Sequence, residues 1–303
     1  MTKPPLLSSF VIRLSTRSRK PTTPMRLPFL ITLLLSFRIA VSLAAENPLR
    51  VELVSEATGI QPGKPFYVGL HLQHPRGYHS YWKLPGIVGV PTAIQWNLPD
   101  GWKADAIEWP VPERVFMFQI KAQGFRGEKL LPIKITPPKN LQPGTVKLEG
   151  RASWMCCGRD CNPGFKALNM ELPVSAEATP PDRRWGKMFA ESFASIARES
   201  DDWTIEAARK SGTIVLRILP VTERAKLHLR EIKDVTFFTE DGLIDPNKPE
   251  SLHKTGDGFA LTQTISEFAP KPLPKKVLGI LQTPQGWLPD GKLKSIRISA
   301  ALP

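Results

Sequence analysis

The stretch FYVGLHLQH, residues 66–74, decides the fold class. Phe66, Val68, Leu70 and Leu72 fall on one side of an extended chain and Tyr67, Gly69, His71 and Gln73 on the other, the period of two that marks a half-buried strand. Further along, GTVKLEGRASW (144–154) aligns Val146, Leu148, Ala152 and Trp154, and FKALNMELPV (165–174) aligns Leu168, Met170, Leu172 and Val174. The turn formers QPGKP (61–65), LPDGW (98–102), TPPKNLQPG (136–144) and CNPG (161–164) punctuate these runs. Short strands between prolyl turns predict a mainly β chain whose residues 45–176 make a two-sheet sandwich of immunoglobulin-like size.

The period then changes. In ATPPDRRWGKMFAESFASIARES (178–200), Thr179 is placed to cap a helix, Pro180 to occupy its first position, and Asp182 follows three residues after the cap. Trp185, Met188, Phe189, Phe193 and Ile196 recur at helical spacing, which predicts an amphipathic connector helix within 177–200 packed on a β-domain. From 201 to 303 strands resume in TIVLRIL, DVTFFT, GFALTQTI, KVLGILQT and LKSIRISA, so a second β-domain is expected. It holds no cysteine, its histidines are His228 and His253, and no catalytic constellation is visible in it.

Residues 1–44 read as a signal peptide: seven basic residues, no acid, and the apolar run LPFLITLLLSF, with small residues at Ser42 and Ala44 suited to cleavage before Ala45. The basic segment is long, and a start at Met25 instead of Met1 gives a more ordinary leader. Without this segment 34 Lys and Arg face 28 acids, a charge of about +6 in place of +13. No basic cluster interleaved with aromatics points to nucleic acid. The mature chain contains no run approaching the roughly 18 apolar residues of a membrane span, so it is expected to be soluble and exported to the periplasm.

An exported protein lives where disulfides persist. All three cysteines lie in WMCCGRDCNPG, residues 154–164. Cys156 continues the inward parity of Trp154 and reads as a small buried hydrophobe, while Cys157 faces the other way. A Cys156–Cys157 bridge would be vicinal and strained, which makes Cys157 with Cys161 the natural pair, GRD supplying the turn. A loop of about five residues gives a bridge worth only about 2 kcal/mol, a poor staple. Arg159 favours a thiolate at the pair and Asp160 opposes it.

Taken together, YHSYWKLPGIVGVPTAIQWNLPDGWKADAIEWPVPER (78–114), GFRGEKLLPIKITPP (124–138) and ASWMCCGRDCNPG (152–164) resemble the N-terminal domain of the thiol:disulfide interchange protein DsbD, more closely the variant in ScsB-like suppressors of copper sensitivity. The resemblance covers roughly residues 49–175, and FFTEDGLID with VLGILQT is similar to the second β-domain of the ScsB-like proteins. It implies an immunoglobulin-like fold that passes electrons between a membrane thiol reductase and periplasmic thioredoxin-like or disulfide isomerase proteins. It also implies that Cys161 forms the mixed disulfide and Cys157 resolves it; no cofactor and no metal is implied. Cys156 stands where the family usually has an aliphatic residue, and Ile87 where an Asp often follows the PG of the tryptophan motif. The transmembrane and thioredoxin-like domains of full-length DsbD have no counterpart in this sequence, so a standalone exchange module is expected.

Other features read more plainly. Trp82, Trp96, Trp102 and Trp109 suit core and turn packing better than a sugar-stacking surface. His71, His74 and His79 make a loose metal set that strand parity splits between faces. The Phe116–Phe118 segment reads as strand core or as a cap over the disulfide. Three functions therefore stand: a thiol:disulfide oxidoreductase module; a copper(I) binder using two or three thiolates with thioether from Met155 or Met170; and a binding protein whose disulfide is structural.

Overall fold

The computed structural model describes residues 47–177 and 179–303; the expected signal segment lies outside the described residues. In chain order the strands are β1 (Arg50–Ser55), β2 (Phe66–Gln73), β3 (Ser80–Tyr81), β4 (Ala93–Asn97), β5 (Lys103–Ile107), β6 (Glu113–Met117), β7 (Ile120–Phe125), β8 (Glu128–Thr136), β9 (Gly144–Cys157) and β10 (Cys161–Val174). The helix α1 (Gly186–Ala194) follows, then β11 (Trp203–Lys210), β12 (Thr213–Pro220), α2 (Glu223–His228), β13 (Thr236–Thr239), β14 (Ser251–Lys254), β15 (Phe259–Thr264), β16 (Lys276–Gln282) and β17 (Ser295–Ala301). The chain is mainly β, as its periodicity predicts. No helix among the described residues is long and apolar enough to cross a membrane.

The first half is an immunoglobulin-like sandwich. A sheet of order β1-β2-β8-β5 faces one of order β10-β9-β4, and a small sheet β3-β7-β6 flanks them. Val51, Leu53, Val68, Leu70, Leu72, Leu131 and Ile133 from the first sheet meet Leu148, Ala152, Trp154, Leu168 and Leu172 from the second in one core. The tryptophans belong to this packing: Trp82 is fully buried with its indole N–H donated to the Pro110 carbonyl (3.1 Å), Trp102 is buried, and Trp96 and Trp109 pack against the same core.

The face of β2 that sequence parity assigns to solvent is also covered. Helix α1 lays Trp185 and Phe189 against Val54 and Leu130, Phe193 meets the Tyr67 ring edge-on at 4.7 Å, and the Ser192 hydroxyl donates to the Leu130 carbonyl (2.8 Å). His71 is therefore buried under Trp185, its two ring nitrogens held at 2.7 Å by Glu52 and Glu128.

The helix is shorter than its sequence pattern suggests. Thr179 does not cap it: its hydroxyl donates to the Gly59 carbonyl (2.9 Å), and Pro181 bridges to Ala57, so this segment runs extended along the sandwich. Asp182 makes the entry turn by accepting the N–H groups of Arg184 (2.7 Å) and Trp185 (3.2 Å), and the helix begins at Gly186.

Residues 203–300 build a second core from two sheets, β11-β12-β15-β14 and β13-β16-β17, around Ile214, Leu216, Ile218, Phe237, Leu261, Leu281 and Trp287. Two side chains cross between the cores: Phe238 and Ile280, both almost fully buried, pack in the first. Residues 47–303 form one compact unit.

Candidate functional site

The longest strand pair among the described residues, β9 with β10, ends in the cysteines. Cys161 stands directly opposite Cys157 in the register, and a disulfide joins them. The residues between close the turn. The Gly158 N–H donates to the Asp160 carbonyl (2.8 Å), and the Asp160 carboxylate accepts the Tyr78 hydroxyl (3.0 Å) and the Asn162 amide (3.2 Å). A side chain at Gly158 would strike the Tyr78 ring 2.8 Å away, which explains the glycine. Behind the turn, Asn47 accepts the Trp154 indole N–H (2.9 Å) and donates to the Asn162 carbonyl (3.1 Å), tying the start of the described chain to the end of the hairpin.

The two sulfurs are unequal: Cys157 is completely buried and Cys161 is exposed. Cys156, one residue earlier, is free and also completely buried, on the other side of β9. It packs in the main sandwich core, whereas Cys157 packs with Tyr81, Val115 and Ala122 in a separate small cluster that Val88, Met117 and Met155 flank. Burial, then the nearby Asp160 carboxylate, pushes the Cys156 thiol up to about 12, so it stays protonated and unreactive. The thiols and thioethers that a copper site would recruit are thus divided: Met155 lies with Cys157, while Met170 packs against the larger core eight residues along β10 from the position opposite Cys156. Among the described residues no three His, Cys, Asp or Glu side chains are grouped to hold a metal ion.

The hairpin β6–β7 supplies the cover over Cys157. Its alternation turns Val115 and Met117 toward the cysteine, while Phe116 and Phe118 face outward, 46 % and 73 % exposed. The phenylalanines therefore belong neither to the strand core nor to the layer packed on Cys157. Phe118 sits at the hairpin tip with φ of 55°, a region that disfavours a bulky side chain. The hairpin is held from the second core. Arg114 donates to the Phe237 carbonyl (2.7 Å) and lies 5.0 Å over the Phe238 ring, the Gln123 amide donates to the Thr239 carbonyl (3.1 Å), and Asn247 accepts the Lys121 N–H (3.1 Å).

The three histidines do not converge. The His74 ring lies 2.6 Å from the Gly127 carbonyl at Nδ1 and 2.8 Å from the Ser80 hydroxyl at Nε2, and burial lowers it to about 4. A neutral ring donating from Nδ1 and accepting at Nε2 satisfies both contacts. His79 is buried beside Cys157, with the backbone N–H of each donated to the carbonyl of the other (both 2.9 Å). That pairing joins residues far apart in sequence, and only the YHSYW segment, already part of the family resemblance, hinted that it mattered.

Residues 48–172 match the family model described as thiol:disulfide interchange protein DsbD, N-terminal. Residues 48–172 form a DsbD N-terminal-like domain. The N-terminal periplasmic domain of ScsB from Proteus mirabilis is similar in fold to a longer stretch, with a TM-score of 0.56 at 16 % identity, over 84 % of this chain and 92 % of that one. A protein of unknown function from Porphyromonas gingivalis W83 aligns at 13 % identity and TM-score 0.23, over 84 % of this chain and 100 % of the other. Spo0M, a sporulation control protein from Bacillus subtilis, aligns at 10 % and 0.22, over 84 % and 91 %. These two scores are too low to bear on the fold. No curated protein sequence matches the chain. The DsbD-like domain carries its disulfide at the turn end of the β9–β10 hairpin, with the β6–β7 hairpin across the buried sulfur.

Proposed function

We propose that the Cys157–Cys161 pair is a thiol:disulfide exchange site and that the protein is an exported, periplasmic module passing reducing equivalents between redox proteins. The observation that carries this reading is the asymmetry of the pair, one sulfur exposed and its partner sealed under the β6–β7 hairpin. A partner thiolate attacks Cys161 Sγ, the Cys157–Cys161 bond breaks, and Cys157 leaves as a thiolate that takes up a proton. The partner's second thiolate then attacks its own sulfur in the mixed disulfide and releases Cys161. Two thiols of the partner have become a disulfide, and one disulfide here has become two thiols. The reverse sequence, in which Cys157 resolves a mixed disulfide on Cys161, delivers the electrons onward.

Partners of the matching chemistry are periplasmic thioredoxin-like or disulfide isomerase proteins on one side and a membrane thiol reductase on the other. In this reading residues 45–176 are the exchange domain, 177–200 the connector, and 201–303 a second β-domain that braces the cover over Cys157.

Trapping tests the proposal. Cys157→Ser leaves Cys161 without a resolving thiol, so acid-quenched cells should yield mixed disulfides with a thioredoxin-like protein, and Cys161→Ser should yield far fewer. Absence of any trapped partner from Cys157→Ser, with wild-type protein isolated carrying stoichiometric copper(I), would replace exchange by metal binding.

A further inference from the structure

We propose that the buried imidazole of His79, aligned beside Cys157 across the strand bridge, is a hydrogen-bond partner kept for the Cys157 thiol and so biases the pair toward its reduced form. The inference rests on the exchange reading and names a residue that positions and tunes its buried sulfur.

Residues directly opposed in an antiparallel pair project to the same face, with their Cβ atoms about 5 Å apart. His79 opposes Cys157 through the two backbone hydrogen bonds described above, and Cys161 opposes Cys157 on its other side. His79, Cys157 and Cys161 thus form a row across three strands, with Cys157 in the middle. Tyr81, two residues along from His79, returns to that face. Its ring packs in the Cys157 cluster and meets the His79 ring edge-on at 5.1 Å.

His79 is only 3 % exposed, and its Nε2, shielded from solvent, has no hydrogen-bond partner among the described residues. A buried polar atom without a partner is uncommon and costly. Its surroundings change with the redox state of its neighbour. In the disulfide neither sulfur carries a proton, and a disulfide sulfur is a feeble acceptor. Reduction adds two electrons and two protons, and one of those protons arrives on Cys157. A bare Nε2 then accepts the S–H; a protonated Nε2 donates to the sulfur instead. With Nε2 bare, the oxidised form carries an orphan acceptor that the S–H of the reduced form satisfies. Burial, with Arg126 and His74 nearby, holds the imidazole at about 4, so the ring is neutral at physiological pH and no ion pair is needed.

The test is the equilibrium of the pair with reduced and oxidised glutathione, measured for wild type, His79→Phe and His79→Gln. Phenylalanine fills the space without a polar atom, so His79→Phe should shift the equilibrium constant about tenfold toward the disulfide, equivalent to ~30 mV for a two-electron couple. Glutamine restores an amide donor and acceptor, and His79→Gln should recover most of that shift. An equilibrium constant for His79→Phe within twofold of wild type, or a His79→Gln value as displaced as His79→Phe, overturns the proposal. Should His79→Phe fail to fold, the wild-type protein decides alone: the nitrogen resonance of His79 Nε2 should move on reduction, and an unmoved resonance refutes the assignment. If glutathione cannot reduce the wild-type pair reversibly, the exchange reading itself fails. Reversible reduction with no His79 effect removes only this inference.

Discussion

Removing the Cys157–Cys161 bond should cost no more than about 2 kcal/mol, the same scale as polarising Cys156, which makes no bond at all. The bridge spans one turn at the end of a hairpin whose register continues to the Val174–Gly144 pair. It therefore withdraws little freedom from the unfolded chain: a closed loop of about five residues is worth about 2 kcal/mol. In the variant Cys157→Ala with Cys161→Ser, alanine leaves no hydroxyl in the buried cluster and serine meets water at the exposed position. The expected loss is therefore at most about 2 kcal/mol, or roughly 4–8 °C in melting temperature for a unit of this size. Cys156→Ser places a hydroxyl in the apolar sandwich core, where an unmet polar group costs about 1–3 kcal/mol. Urea titration at pH 7, followed by tryptophan fluorescence, compares the three proteins. A double variant that loses more than about 4 kcal/mol, or that does not fold while Cys156→Ser is unaffected, would refute the reasoning and make the disulfide a structural staple.

Two further outcomes follow from local geometry and charge. Phe118→Gly removes a bulky residue from left-handed backbone at the tip of the covering hairpin and should raise stability by about 1 kcal/mol in the same titration, while an unchanged or lower value would mean that the exposed ring makes a compensating contact. Stability should also depend on acid: His74 and His79 are each held at about 4 by burial, against about 6.5 when unfolded, so below pH 6.5 the unfolded chain binds protons that the folded chain refuses. Stability should be complete above about pH 6.5 and fall progressively to about pH 4, with a shallower decline in His74→Gln; a rise over that window would contradict both assignments.

Much of the site was legible because strand parity is a strictly local rule. The same alternation that aligned Trp154 with Ala152 placed Cys156 inward and Cys157 on the opposite face, and the structure puts them in separate clusters. The rule failed where a partner distant in sequence decides. Tyr67 and His71 alternate like solvent-facing residues, yet α1 covers them. Thr179 and Pro180 carry the local chemistry of a helix start, but the pairing of Pro181 with Ala57 and the bond from Thr179 to Gly59 keep the segment extended. Phe116 and Phe118 are the large aromatics near the tip of the covering hairpin, so composition draws attention to them. The parity of a two-residue turn instead sends Val115 and Met117 inward. The contact between His79 and Cys157 joins residues far apart in sequence, and parity within either segment carried no signal of it.

The seating of Phe238 and Ile280 in the first core also sets an order of events during synthesis. In an exported protein the chain crosses the membrane from its N-terminus, so both cysteines of the hairpin reach the oxidising side before the plugs of their own sandwich follow. Until β13 and β16 arrive, the sandwich is short of two buried side chains, and Arg114 has no Phe237 carbonyl against which to hold the β6–β7 hairpin. The nascent thiols therefore pass through an interval of greater accessibility than they have in the finished protein. An oxidant meeting the incompletely folded chain has its choice among Cys156, Cys157 and Cys161 then, and completion of the sandwich core, Phe238 and Ile280 included, is what withdraws Cys156 from that competition.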